Sequence, residues 1–138
     1  MRQIKAETEI VAGVDVTWTV VGDVGSIADW MPGLSSSRLD GEVRHITFEN
    51  GDTGTERILL RDDSKRYYTF EFEDDLVRIE STLAIHGTEQ SARVLWSATV
   101  DAKTSEKESN IATDITNLYN SALRQLKDQV EQLDRSSH

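Results

Sequence analysis

Glu56, in the stretch TGTERILLRDD from Thr53 to Asp63, is the residue whose setting points most directly to chemistry. Read as a strand of period two, the stretch puts Gly54, Glu56, Ile58 and Leu60 on one face, and Thr55, Arg57, Leu59 and Arg61 on the other. One carboxylate then shares a face with two large aliphatics. Left unpaired there it would cost several kcal/mol or take up a proton. Three roles are open to it. It can pair with a cation, for which Arg44 on a neighbouring strand is available, or orient a ligand. With its pKa raised by burial, it can also act as a general acid or base.

No second reactive group stands out. His45, His86 and His138 lack metal-ligand spacing, so no metal is expected. Asp62 with Asp63, and Asp74 with Asp75, read as turn residues. No serine sits in a nucleophile elbow and no glycine-rich loop has phosphate-binding spacing, so no cofactor is expected either. The absence of cysteine excludes thiol catalysis, disulfides and thiolate-bound metals.

Those residues have to be held by the rest of a 138-residue chain, enough for a single domain over 1–138. A net charge of −10 disfavours nucleic-acid phosphates and anionic membranes as partners. Neither a signal-peptide core nor a run of about 18 apolar residues occurs, so a cytoplasmic protein without membrane insertion is expected.

Residues 4–11 alternate weakly and suggest a first strand. Val14, Trp18 and Val21 then recur at helical spacing, and GSIADWMPG suggests a second short helix ended by Pro32 and Gly33. From Leu34 to Asp101 the period is two. Arg44, Ile46 and Phe48 share a face, as do Tyr68, Phe70 and Phe72, then Val77, Ile79, Ser81, Leu83 and Ile85, then Ala92, Val94, Trp96, Ala98 and Val100. Short polar turns separate the runs, which predicts an antiparallel meander. Residues 105–134 hold no glycine or proline. Ile111, Ile115, Leu118, Ala122, Leu126, Gln129 and Leu133 predict one amphipathic helix, roughly 45 Å long.

In this order VTWTVVGDVGSIADWMPG, GEVRHITFENG, TERILLRDD and ARVLWSATV resemble the START-like, helix-grip superfamily. Within it, the nearest likeness is to the polyketide cyclase/dehydrase and lipid-transport group of small bacterial proteins, from Ile4 to Leu133. The resemblance implies an α+β helix-grip fold, in which a curved antiparallel sheet of six to seven strands wraps a long C-terminal helix. Two short helices follow the first strand, and a cavity lies between sheet and helix.

TERILLRDD also resembles a run in plant abscisic-acid receptors, a sister group whose glutamate lines the hormone cavity. The resemblance puts Glu56 there, and places Ile46, Phe48, Phe70, Phe72, Ile79, Ser81, Trp96, Leu118 and Ala122 along the cavity. Face alternation adds Ile58 and Tyr68. The gating loop of those receptors is shortened here to EDDL, and no lysine stands near Ser35 where their anchor would fall. Recognition of a hormone of that kind is not expected. Trp96 stands where those receptors carry a smaller acidic residue, which narrows the pocket. Trp18 and Trp30 read as packing residues, Trp30 with Pro32 closing the end where this fold opens its pocket.

Three functions compete. One is binding, for transport or sensing, of a small hydrophobic or aromatic ligand oriented by Glu56, Ser81 and Tyr68. Another is a cofactor-independent cyclase or dehydratase acting on a polyketide-like substrate, with Glu56 as the catalytic acid or base. A third is an interaction module, as a monomer or homodimer. The residues favour the first, with Glu56 meeting a ligand rather than Arg44.

Overall fold

The structure, a computed structural model, describes residues 1–136. β1 (Arg2–Ile10) leads into α1 (Val14–Val21) and a 3-10 helix (Val24–Asp29). Six strands follow: β2 (Leu34–Asp40), β3 (Val43–Phe48), β4 (Thr53–Asp62), β5 (Tyr67–Glu73), β6 (Val77–Gly87) and β7 (Ala92–Ala102). α2 (Ser105–Ser136) ends the described chain. It runs past Asp134, where the predicted helix ends, while Ser137 and His138 lie outside the described residues.

The strands form one antiparallel sheet in the order β1-β7-β6-β5-β4-β3-β2. The meander β2 to β7 follows from short turns between period-two runs, and β1 closes on β7 with Ala6 opposite Trp96. α1 and the 3-10 helix therefore carry the chain from one sheet edge to the other. The start of α1 is pinned to the β6–β7 turn, where the Val14 N–H donates to the Thr88 carbonyl at 2.9 Å. Only glycine fits just before it, because a Cβ on Gly13 would lie 2.4 Å from the Glu89 carbonyl oxygen.

Alternation in β5, β6 and β7 translates directly into burial. Tyr68, Phe70, Leu83, Ile85, Val94, Trp96 and Val100 are all inside, with α2 packed over β1 and β7 and α1 over β6. Two expectations need correction. In β4 the pairing with β5 slips between Ile58, opposite Phe70, and Leu60, opposite Thr69. This bulge turns Leu60 to solvent, where it is 52% exposed, rather than leaving it beside Glu56. In α2 the buried residues are Ala112, Tyr119, Ala122, Leu123, Leu126 and Val130, with Leu118 and Leu133 exposed. Two apolar stripes flank Ala122 and Leu126, and the sheet takes the one whose Tyr119 meets Trp96. α1 likewise buries Thr17 rather than Trp18, whose indole N–H reaches out to Asp63 at 3.0 Å.

Candidate functional site

A hollow of about 160 Å³ remains between the sheet and α2. The sheet supplies Ile46, Phe48, Glu56, Phe70, Phe72, Ile79 and Trp96 to its walls. Ile115, Leu118 and Tyr119 of α2 face them, and Ile27, Met31, Pro32 and Leu34 close the end nearest the 3-10 helix. Glu56 is the single charged residue on this wall. A wider depression of about 710 Å³ on the outer sheet face, around Thr69, Thr82 and Ser97, is open and lined mainly by polar residues. It offers a ligand less desolvation, so the more apolar hollow beneath α2 is the better site.

Expected and observed walls overlap in part. Ile46, Phe48, Glu56, Phe70, Phe72, Ile79, Trp96 and Leu118 border the hollow, whereas Ile58, Tyr68, Ser81 and Ala122 stand behind it. Tyr68 and Ser81 are fully buried and spend their hydroxyls on protein partners, so neither is placed to orient a ligand directly. Ile27, Met31, Leu34, Ile115 and Tyr119 were not foreseen as walls. A lone tyrosine one turn after Ile115 in a mostly polar helix was the available signal for the last of them.

Register explains the polar floor. β3 and β4 pair Arg44 directly with Glu56, side by side on the inner face. Arg44 Nε donates to Glu56 Oε1 at 2.8 Å, and Nη1 donates to the Val24 carbonyl at 2.9 Å and the Tyr68 hydroxyl at 3.0 Å. The guanidinium carbon sits 4.5 Å above the centre of the Phe70 ring. Glu56 therefore has a protein partner, contrary to the expectation that a ligand would take that place. Among the described residues, Arg44 Nη2 and Trp96 Nε1 are buried donors without a hydrogen-bond partner.

An aromatic cluster forms the back wall. Trp96 stacks on Tyr119, ring centres 3.7 Å apart and planes 9° from parallel, and meets Trp30 edge-on at 5.7 Å. The Tyr119 hydroxyl shares a 2.7 Å hydrogen bond with Ser81. Burial lifts the ionisation of Tyr119 above its ordinary range, so it remains a neutral hydroxyl. Trp30 is a core packing residue at 1% exposure. No group of three histidines or acids is placed to hold a metal among the described residues.

Burial also pushes the Glu56 carboxyl above its ordinary value of 4.5, with the adjacent guanidinium opposing. The folded state thus holds that proton at pH values where the unfolded chain has lost it. Stability from this group rises as pH falls from the raised value towards 4.5. Carboxylates at the surface work the other way. Lys127 lowers Glu131, Arg93 lowers Glu9, Lys103 lowers Glu73, and the Lys65 backbone N–H lowers Asp62. Their stabilisation is lost once pH drops below the ordinary carboxylate range. The urea midpoint should therefore climb modestly on the weakly acid side of neutral and then decline. Glu56→Gln should lose part of the climb and keep the decline, and an unchanged climb in that variant would contradict the assignment.

A family model for polyketide cyclase / dehydrase and lipid transport matches residues 1–131. No curated protein matches the sequence. Among solved structures, the protein XoxI from Bacillus cereus is 27% identical over 100% of both chains, with a TM-score of 0.86. The Zhui aromatase/cyclase from Streptomyces sp. R1128 is 14% identical, covering 95% of this chain and 94% of its own, with a TM-score of 0.81. A START superfamily protein from Mycobacterium smegmatis is 12% identical, covering 95% and 98%, with a TM-score of 0.80. The last two similarities speak for the helix-grip fold alone. No helix of the described residues is long and apolar enough to cross a membrane.

Proposed function

The chain belongs to the polyketide cyclase/dehydrase and lipid transport family, and from that premise we propose that it binds a small apolar or aromatic ligand in the hollow between sheet and α2. The observation that carries this reading is a partly open, largely apolar hollow walled by aliphatic and aromatic side chains with one carboxylate among them. Desolvation of the ligand supplies the affinity, and the few polar groups set its orientation.

Size limits the ligand. An apolar cavity of roughly 150 Å³ accepts benzene, whereas drug-sized ligands need about 300 Å³ or more. At about 160 Å³ the hollow takes one ring or a short branched chain. A longer ligand has to displace Leu118, which is 37% exposed at the rim of the hollow, or Met31 beside Pro32. Transport and sensing are both compatible with such a site.

The catalytic alternative, a cyclase or dehydratase using Glu56, gains from the raised carboxyl. It loses more from the Arg44 pair, which occupies Oε1 and disfavours proton uptake, and from the Tyr119 hydroxyl, which is bonded to Ser81 and held neutral by burial. Native mass spectrometry of protein purified from its own host tests the binding reading. It should detect a co-purified small molecule, released on unfolding and excluded by Ile79→Trp, which fills the hollow. Recovery of the same molecule from the filled variant would refute binding there.

A further inference from the structure

The Glu56 carboxylate is only half used by the protein. Strand pairing sets Glu56 between Arg44 of β3 and Phe72 of β5 on the inner face, and it borders the hollow together with Phe72. Oε1 accepts from Arg44 Nε at 2.8 Å, whereas Oε2 has no hydrogen-bond partner among the described residues. The unpaired polar side-chain atoms that burial closes off there are Arg44 Nη2 and Trp96 Nε1, so Oε2 keeps accessible surface. The two side chains differ in the same sense, Glu56 being 13% exposed and Arg44 0%. A ligand in the hollow therefore meets a carboxylate oxygen. Arg44, which is not on the wall, stays out of its reach.

The geometry points to a ligand selected for charge and hydrogen-bond polarity: an uncharged hydroxyl compound of one-ring size, whose O–H donates to Glu56 Oε2. This rests on the hollow being a binding site. Oε2 is an acceptor without a proton, so the ligand has to bring the donor. An ether or ketone oxygen only accepts and would set lone pairs against Oε2. A carboxylate would add a second anion there, which argues against a free acid as the ligand. An ammonium would add a second cation beside a buried pair whose charges already cancel. An amide donates too, but brings a carbonyl that the apolar wall leaves unpaired. A hydroxyl supplies the donor with no net charge, and donation to a charged acceptor is the stronger kind of hydrogen bond. The size follows from the volume of about 160 Å³.

Calorimetric titration of the intact chain at mildly alkaline pH tests the assignment, with 4-methylphenol, benzyl alcohol, toluene, 4-methylanisole, benzylamine and 4-methylbenzoate as probes. At least one hydroxyl compound should bind roughly tenfold more tightly than toluene or the anisole, the size of one hydrogen bond to a charged group. Which of the two does so tells a phenol from an alcohol. The amine and the benzoate should bind more weakly than that compound. Glu56→Gln should reverse the polarity of the wall. Its amide oxygen is the atom that can accept from Arg44 Nε, which leaves the amide N–H to replace Oε2. In that variant the anisole should overtake toluene, and the hydroxyl compounds should lose their lead over the anisole. Toluene binding as well as both hydroxyl compounds, a benzoate or amine that binds best, or a hydroxyl lead over the anisole that survives Glu56→Gln would overturn the assignment while leaving the hollow as a site. Failure of all six probes to bind would remove the site itself, and the assignment with it. The wild-type series decides the matter even if the variant does not fold.

Discussion

Replacing Trp96 by alanine is expected to cost about 3–5 kcal/mol of folding stability, the range for removing a large buried aromatic. Trp96 has no exposed surface, stacks on Tyr119, meets Trp30 edge-on and lies near Phe70. A small domain has only about 5–15 kcal/mol in total, so the variant keeps a fraction of its stability. Trp96 also forms part of the wall, and its loss should enlarge the hollow. A two-ring hydrocarbon such as naphthalene should then stabilise the variant by mass action while leaving the wild type unaffected. Equilibrium urea unfolding with and without naphthalene measures both effects. A loss below about 1 kcal/mol, or equal stabilisation of both proteins, would mean that Trp96 neither anchors the core nor bounds the site.

Arg44→Met is expected to cost a comparable amount, about 3–5 kcal/mol, for a different reason. The substitution strands the Glu56 carboxylate and removes the donor to the Val24 carbonyl and the Tyr68 hydroxyl. Removing both charges with Arg44→Met/Glu56→Leu should restore most of that loss, because paired removal leaves no orphaned charge. The single variant should also recover as pH falls. Without the guanidinium, the folded-state carboxyl rises further above 4.5, so protonation at mildly acid pH relieves the penalty. Urea midpoints between neutral and mildly acid pH follow this recovery. A deficit in Arg44→Met that does not change with pH would show that packing of the guanidinium, and not its charge, holds the floor together.

The fold was legible because period-two runs and short polar turns leave few topologies open. The inner faces of β5, β6 and β7 agree with burial at most positions, as at Phe70, Leu83 and Trp96. What alternation cannot show is a place where the period breaks. The slip between Ile58 and Leu60 carries no glycine or proline to announce it, so Leu60 was assigned to the wrong face. In α2, apolar residues on both sides of Ala122 and Leu126 leave the rotation of the helix to be decided by its partner, and Trp96 decides it through Tyr119.

The site was legible in composition but not in connection. Arg44 already shared a face with Ile46 and Phe48, and Glu56 with Ile58. Their pairing depends on the register between β3 and β4, which places Arg44 opposite Glu56. The fate of the Ser81 and Tyr68 hydroxyls was beyond the sequence for the same reason, since their partners are 38 and 24 residues away. The size of the hollow depends on how far Trp96, Tyr119 and Trp30 fill it, a packing outcome with no local signature.

The most direct test of the binding claim is a methyl-resolved NMR titration with 4-methylphenol, using protein labelled at the isoleucine δ1 positions. Ile27, Ile46, Ile79 and Ile115 line the hollow, while Ile4, Ile10, Ile58, Ile85 and Ile111 do not. A ring-sized ligand held only by a small apolar hollow should bind with a dissociation constant on the order of 0.1–1 mM, which such a titration resolves. Occupancy of the hollow predicts saturable shifts at the four lining methyls and small ones at the other five. Shifts confined to the others, or none at a concentration well above 1 mM of the phenol, would contradict it.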